Sequence, residues 1–333
     1  MSSAIFSFAS ARATKLKSGL IFVAGLLIAS GPLLAAEDYP NRPIRLVVGF
    51  SAGGTADVAG RILAKILTTS LGKPVVVENK PGAGSLLGIN DVLSRPRSGY
   101  DLLLCTYFDP VNTLLYKKAP YALSDIAPIS LIAKYDYVLV ATPSVPADNL
   151  DQLIQYAKAH PNELNYAHLG IGSAQNLLSK RLQKLTGIKM TAVSYKSAGE
   201  SVRAVLAGEV QLSFSPAITV MPFYQSKQIK VLAVTGPERL AAIPEIQTLK
   251  ESGIPFVAYG WLGFCAGSGT PPQIIQYLNE KVVEAVNSSE YQSFVRKSGS
   301  IPVSSTPSEF QEVIQESVNQ AAPIIEEFGL KVD

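Results

Sequence analysis

Short apolar runs alternate with amphipathic segments along this chain, and glycine-rich turns join one to the next. Residues 44–50, IRLVVGF, have the continuous β-branched character of a strand buried on both faces. Beyond Gly53 and Gly54, Val58, Ile62, Leu63, Ile66 and Leu67 share one helical face, and Gly72 ends it. Further strands are expected at 75–78, 101–105, 138–141, 165–167, 210–214 and 229–234. Between them come helices at 87–93 and about 150–159, and one whose face carries Leu177, Leu178, Leu182 and Leu185. Ser197 and Glu200 form a capping box for a helix over 201–207. TPPQ (270–273) and TPSE (306–309) each supply a Thr cap, a Pro at the first helical position and Gln or Glu at the third. Such alternation implies parallel sheets covered by helices. One sheet would be very wide for this many strands, which favours two α/β lobes, and no internal repeat is visible.

The first 36 residues stand apart. Arg12, Lys15 and Lys17 precede the apolar run 19–29, Ser30, Gly31 and Pro32 break it, and Ala35-Ala36 offers small residues before Glu37. That is the pattern of a secretory signal peptide cleaved near Ala36. The segment holds three of the 29 basic residues and no acidic one, so the remainder balances 26 against 26. A neutral chain without basic runs gives no footprint for nucleic acid. Export permits a disulfide. Yet Cys105 and Cys265 both sit in apolar, strand-like surroundings, and two buried free thiols is the preferred expectation. No Cys or His spacing suits a metal.

Three glycine turns fall between a strand and a helix. The first is Ser51, Ala52, Gly53, Gly54 and Thr55; the second runs from Pro81 through Gly82, Ala83 and Gly84 to Ser85; the third holds Gly170, Gly172 and Ser173. In an open α/β sheet such turns line the carboxyl edge, where ligands bind. The first amides of a helix lack internal partners and, with the helix dipole, favour an anion. Glycine lets a ligand approach those amides. Asp57 complements the first helix dipole. A P-loop would end in Gly-Lys-Ser/Thr, which is absent, and GAGSLLG (82–88) is one residue off the dinucleotide fingerprint with no acidic ribose partner in place. His160 reads as a helix-end cap and His168 as a packed strand-end residue. GIGSA is not a nucleophile elbow, and Ser173 has no identifiable base. The three turns together point to a small anionic ligand, a carboxylate, with no cofactor.

YPNRPIRLVVGFSAGG-TAD, LGKPVVVENKPGAGS-LLG, SGYDLLL, LNYAHLGIGSAQNLL, YKSAGESVRAVLAGEVQLSF, IKVLAVTGPERLAAIPEIQTLKESGIP and WLGFCAGSGTPPQII occur in that order. In order and spacing they resemble the Bug receptors, extracytoplasmic solute-binding proteins of tripartite tricarboxylate transporters. The resemblance covers residues 38–333. It implies a two-lobed periplasmic binding protein of type II-like α/β fold, each lobe a mixed, mainly parallel sheet flanked by helices, with the ligand cleft between. Lobe one is expected at 37–138 and 256–333, and lobe two at 139–255. The resemblance places Phe50, Ser51, Ala52, Gly53, Gly54, Thr55, Asp57, Gly82, Ala83, Gly84, Ser85 and Thr106 on the first side of the cleft. It places Gly170, Gly172, Ser173, Ala174, Gln175, Tyr195 and Ser215 on the other, and Trp261 near the hinge. It implies a monomer that closes on a small carboxylated solute and delivers it to a membrane permease, without catalysis. A sensor-accessory role for a signalling kinase, or a periplasmic hydrolase or lyase, is the alternative. The chain departs from the family where two prolines usually precede Gly53 (Ser51, Ala52 here), at Asn176 for His, Ser98 for Asp, Ser197 for Gly, and at Ser215-Pro216, where an Asp is common.

Overall fold

The computed structural model describes residues 39–331, so the expected targeting segment lies outside the described residues. The chain first runs β1 (Ile44–Val48), α1 (Thr55–Leu71), β2 (Val75–Asn79), α2 (Leu86–Leu93), β3 (Asp101–Thr106), α3 (Phe108–Leu115) and the long β4 (Ile126–Ala141). It continues with α4 (Leu150–Ala159), β5 (Asn165–His168), α5 (Ala174–Thr186), β6 (Thr191–Ser194), α6 (Ala198–Ala207), β7 (Leu212–Pro216), α7 (Ala217–Gln225) and β8 (Lys230–Val234). It ends with β9 (Tyr259–Gly267), α8 (Pro272–Val286), α9 (Ser289–Lys297), β10 (Ile301–Pro302) and α10 (Pro307–Glu327).

Strand order explains the organisation. β2, β1 and β3 are parallel, and β9 joins β3 and β4 antiparallel. β4 pairs with β9 from Ile126 to Asp136, then changes partner and pairs with β7 from Tyr137 to Ala141. β7 continues into the parallel strands β5 and β6, while β8 also pairs with the end of β4. One strand therefore belongs to two sheets. β1 and β3 are covered on both faces, as their apolar runs require. Leu46, Val48, Leu102 and Leu104 face α1 and α8, whereas the alternate residues Val47, Leu103 and Cys105 face α2 and α10. In the second sheet Leu139 and Ala141 face the α4 and α5 side, and Val138 and Val140 the opposite side. A fifth cluster joins the halves: Val111 and Leu115 of α3, Leu177 of α5, and Ala321 and Ile325 of α10.

Four local readings change. The buried face of α1 is Ala56, Ala59, Gly60, Leu63, Ala64, Leu67 and Leu71; of the expected stripe Leu63 and Leu67 are buried and Ile62 and Ile66 pack against the core, but Val58 stays 36% exposed. Small residues win there because α1 lies close on the sheet: a Cβ at Gly60 would come within 2.8 Å of the Leu104 side chain. β4 begins at Ile126, well before residue 138, although Pro128 and the polar Lys134 and Asp136 interrupt its apolar pattern. Thr306 caps α10 in a capping box with Glu309, but Thr270 does not cap α8; its hydroxyl donates to the Gly267 carbonyl instead, at 2.8 Å. Last, Cys105 and Cys265 are not free thiols but a disulfide, with Cα atoms 5.9 Å apart. In the β3–β9 register Cys265 stands opposite Leu103 and Cys105 opposite Gly263, so both side chains share one sheet face as diagonal neighbours.

This bond links strands 160 residues apart in sequence. Replacing both cysteines by alanine is expected to lower the unfolding free energy by about 2–4 kcal/mol. Urea unfolding of the oxidised protein and the double variant measures it; equal midpoints and slopes would show that the staple contributes nothing.

Candidate ligand cleft

At α1, Gly54 takes the cap position without a side-chain cap. Among the described residues no acceptor meets the amides of Gly54, Thr55 and Ala56. The turn before them is braced from within. Asp57, 2% exposed, accepts from the Gly53 N–H at 2.9 Å, from Arg61 Nε at 3.0 Å and from Asn79 Nδ2 at 2.9 Å. Asn79 also donates to the Phe50 carbonyl. Burial pushes the Asp57 carboxyl up, but the hydrogen bonds from Arg61, Gly53 and Asn79 outweigh it and hold the pKa below the ordinary value. Asp57 thus holds the turn, and both its oxygens are occupied. Ser51, Ala52, Gly53 and Gly54 remain exposed.

The second turn is wound tightly. Gly82, Ala83, Gly84 and Ser85 all have positive φ, at 147°, 46°, 60° and 76°. For Ala83 and Ser85 that conformation costs about 1–2 kcal/mol each, so surrounding contacts must enforce it. They come from α3. The buried Ser85 hydroxyl donates to Asp109 at 2.7 Å, Asn112 Nδ2 donates to the Gly84 carbonyl at 2.8 Å, and the Phe108 ring packs under Gly84. Phe108 also meets Phe50 of the first turn edge-on, with centroids 5.3 Å apart. The first two turns are pressed together where a Cβ on Gly88 would come within 2.9 Å of the Gly49 Cα. Thr106 is absorbed in the same brace: its N–H and hydroxyl both donate to Asp109, at 2.6 and 3.1 Å.

The third turn leans on the far end of α3, where Gly172 packs directly against Leu115. His168 Nδ1 accepts from the Gly170 N–H at 3.0 Å, and burial holds the imidazole pKa down. Ser173 caps α5 by accepting from Asn176 N–H and also accepts from Leu169 N–H. His168 is thus a packed group of the turn, as its strand-end position suggested, and the Ser173 hydroxyl is engaged as the α5 cap. Ala174 and Gln175 open α5, and the buried Gln175 Oε1 has no partner among the described residues. Tyr195 donates its N–H to the His168 carbonyl, and Ser215 is buried in a hydroxyl ladder with Ser213 and Ser201.

A cavity of about 450 Å³ lies beside the first turn. Gly53, Gly54 and Thr55 border it together with Val58 and Ala59 of α1. From the second sheet come the beginnings of α6 (Ala198, Gly199) and α7 (Ile218, Thr219), with Val202, Arg203 and Phe223. Ala133 and Leu262, with Phe294 and Val295 of α9 and Ser298 and Ser300 after it, complete the wall. Of the residues expected in the cleft, only Gly53, Gly54 and Thr55 border this cavity; the second and third turns meet them through α3 instead. Ala198, Gly199, Arg203, Ile218 and Thr219 were missed by sequence reasoning; Ser197 does cap α6, but the helix begins at Ala198 rather than 201, and Glu200 accepts from the Lys196 N–H instead of closing a capping box. Among the described residues Arg203 is the one titratable side chain on the cavity wall. Trp261, expected near the hinge, stands opposite Lys134 on β9, two pairs from the point where β4 changes sheet. Its ring is buried, with Nε1 donating to Ser317 at 2.9 Å.

Two α/β sheets sharing a strand, with helix beginnings from both around one cavity, describe a two-lobed binding protein. Solved structures agree. An R. palustris protein with adipate matches at a TM-score of 0.82 and 28% identity, over 88% of this chain and 99% of that one. The periplasmic binding protein BugD matches at a TM-score of 0.80 and 28% identity, over 88% and 99%. MatC from Rhodopseudomonas palustris with bound malate matches at 0.78 and 25%, over 86% and 100%. Among curated proteins, BugT of Bordetella pertussis is 35% identical over 320 residues, 94% of this chain and 98% of BugT. Residues 59–330 match the tripartite tricarboxylate transporter family receptor profile. The chain belongs to that family of solute-binding receptors, which are not enzymes.

Asp109, the brace beneath the second turn, is fully buried, and burial raises its pKa to about 6 against the opposing hydrogen bonds of Ser85 and Thr106. A carboxyl whose pKa is raised by folding stabilises the fold below its unfolded pKa and loses that contribution as pH rises through the folded value. Relative to wild type, Asp109→Asn should therefore gain about 2–3 kcal/mol between pH 4 and 7. Urea unfolding at a series of pH values measures the difference; a difference independent of pH would contradict it.

Proposed function

We propose that this receptor is exported to the periplasm, closes its two lobes on a small carboxylated solute and passes it to membrane permease subunits. The observation that carries the reading is the set of unpartnered amides at the start of α1, facing a cavity bordered by elements of both sheets. Such amides favour an anion. Two similar structures, with adipate and with malate, hold carboxylates and support the same class of solute.

The lobes are proposed at 37–138 with 256–333, and at 139–255. The partner change of β4 at Asp136–Tyr137 and the return of the chain at Tyr259 lie within three residues of those limits. Hinge motion would then concentrate where two chain segments cross, beside Tyr135, Asp136 and Tyr137. Export rests on the basic and apolar pattern of residues 1–36.

Thr55 offers a clean test. It is the first residue of α1, and Gly54 before it is extended, at φ −78° and ψ 168°. Proline is accepted at such a position yet carries no N–H. Thr55→Pro should keep the melting temperature of the free protein and weaken carboxylate binding about tenfold, the worth of one charge-assisted hydrogen bond. Thr55→Ala, which loses only the hydroxyl, should bind more nearly like wild type. Calorimetric titration across a panel of mono-, di- and tricarboxylates compares the three proteins. Equal affinities for Thr55→Pro and wild type would remove the α1 amides from the site, and stabilisation by uncharged compounds alone would overturn the carboxylate reading.

A further inference from the structure

The walls of the cavity differ sharply in chemistry. Val58, one turn into α1, is left outside the core and stands at the cavity instead, with Ala59, Leu262 and Phe294 around it. Ile218 and Phe223 contribute apolar surface from the second sheet. Two of the wall hydroxyls already donate hydrogen bonds to backbone carbonyls: Thr219 to Pro216 and Ser298 to Val295. Against this lies a single charge. Arg203 borders the cavity on α6 and makes no ion pair or hydrogen bond with any described residue. Its guanidinium lies over Gly199, with Nη1 3.9 Å from where a Cβ there would sit. The absence of a side chain at Gly199 leaves that cation uncovered toward the α6 beginning.

We propose that Arg203 is a specificity-determining residue, and that the chamber selects an acid with a carboxylate at each end of a bare hydrocarbon body. One carboxylate meets the α1 amides, the second pairs with Arg203, and the body lies against Val58, Phe294, Leu262 and Phe223. This rests on the receptor reading above and narrows it. A hydroxyl or amino group on the body would be stripped of water against apolar walls with few free partners, which disfavours hydroxy and amino acids. An acid with one carboxylate would leave Arg203 unmatched. Arginine suits the role because its planar fork takes a carboxylate through two parallel hydrogen bonds.

The test is calorimetric titration of the mature chain, freed of carried-over solute, with adipate, hexanoate, malate and aspartate. Adipate should bind at least about tenfold tighter than malate or aspartate, the lower end of the penalty for burying an unpaired polar group. Arg203→Gln, an exposed position that leaves the core untouched, should weaken adipate about tenfold and hexanoate about twofold or less. Val58→Asn should weaken both acids. Malate or aspartate binding as tightly as adipate would overturn the proposal, as would an equal loss of adipate and hexanoate in Arg203→Gln. Either result, with binding still sensitive to Thr55→Pro, leaves the carboxylate receptor standing. Failure of every acid to bind would sink both.

Discussion

An α-helix begins with amides that its own backbone cannot satisfy. At five of the ten helix starts among the described residues a side chain answers them: Asn149, Ser173, Ser197, Ser288 and Thr306 each accept from the third amide. At α1 none does. The nearby carboxylate, Asp57, is turned back to hold the preceding turn through Gly53, Arg61 and Asn79. That arrangement keeps negative charge at the helix dipole without covering the free amides, so the turn stays formed while its donors stay open. The rest of the site is the machinery that keeps this one helix end at the boundary between two sheets.

α3 is the chief part of that machinery. It is eight residues long, and it touches the first turn through Phe108, the second through Asp109 and Asn112, and the third through Leu115. Its position is set from below by β3, whose last residue Thr106 is tied to Asp109 and whose Cys105 is bonded to β9. β9 in turn pairs with the part of β4 that precedes the change of sheet. A path of covalent and hydrogen-bonded contacts therefore runs from the β4–β9 pair to the glycine turns. The opposing lobe reaches the same place through α5, whose Leu177 packs with α3 and α10 and whose Lys184 pairs with Glu327.

How much of this could be read beforehand follows from the range of each interaction. The glycine turns, the cap at Ser197, the capping box at Thr306 and the strand runs are local, and local chemistry writes them plainly. α3 was not legible: Asp109-Pro110 in its first turn looks like a loop, and its helical state is supported by partners at Gly84, Ser85 and Leu115's neighbours rather than by its own pattern. α7 was hidden in the same way by Pro222. Val58 was misplaced because periodicity favours large apolar residues, whereas close packing of α1 on Leu104 favours Ala and Gly. The disulfide depends on a strand register across 160 residues, which spacing cannot reveal. The cavity walls on α6 and α7 belong to no glycine turn. Their residues are ordinary in sequence and become a site only where two sheets meet.

The most direct measurement is the amide NMR spectrum of the isotopically labelled mature chain during titration with adipate. If the α1 beginning is the anion seat, the Gly54, Thr55 and Ala56 amide protons move downfield and exchange more slowly with solvent as the acid binds. Binding that leaves those three resonances in place, while shifting others, would place the anion elsewhere and contradict the account.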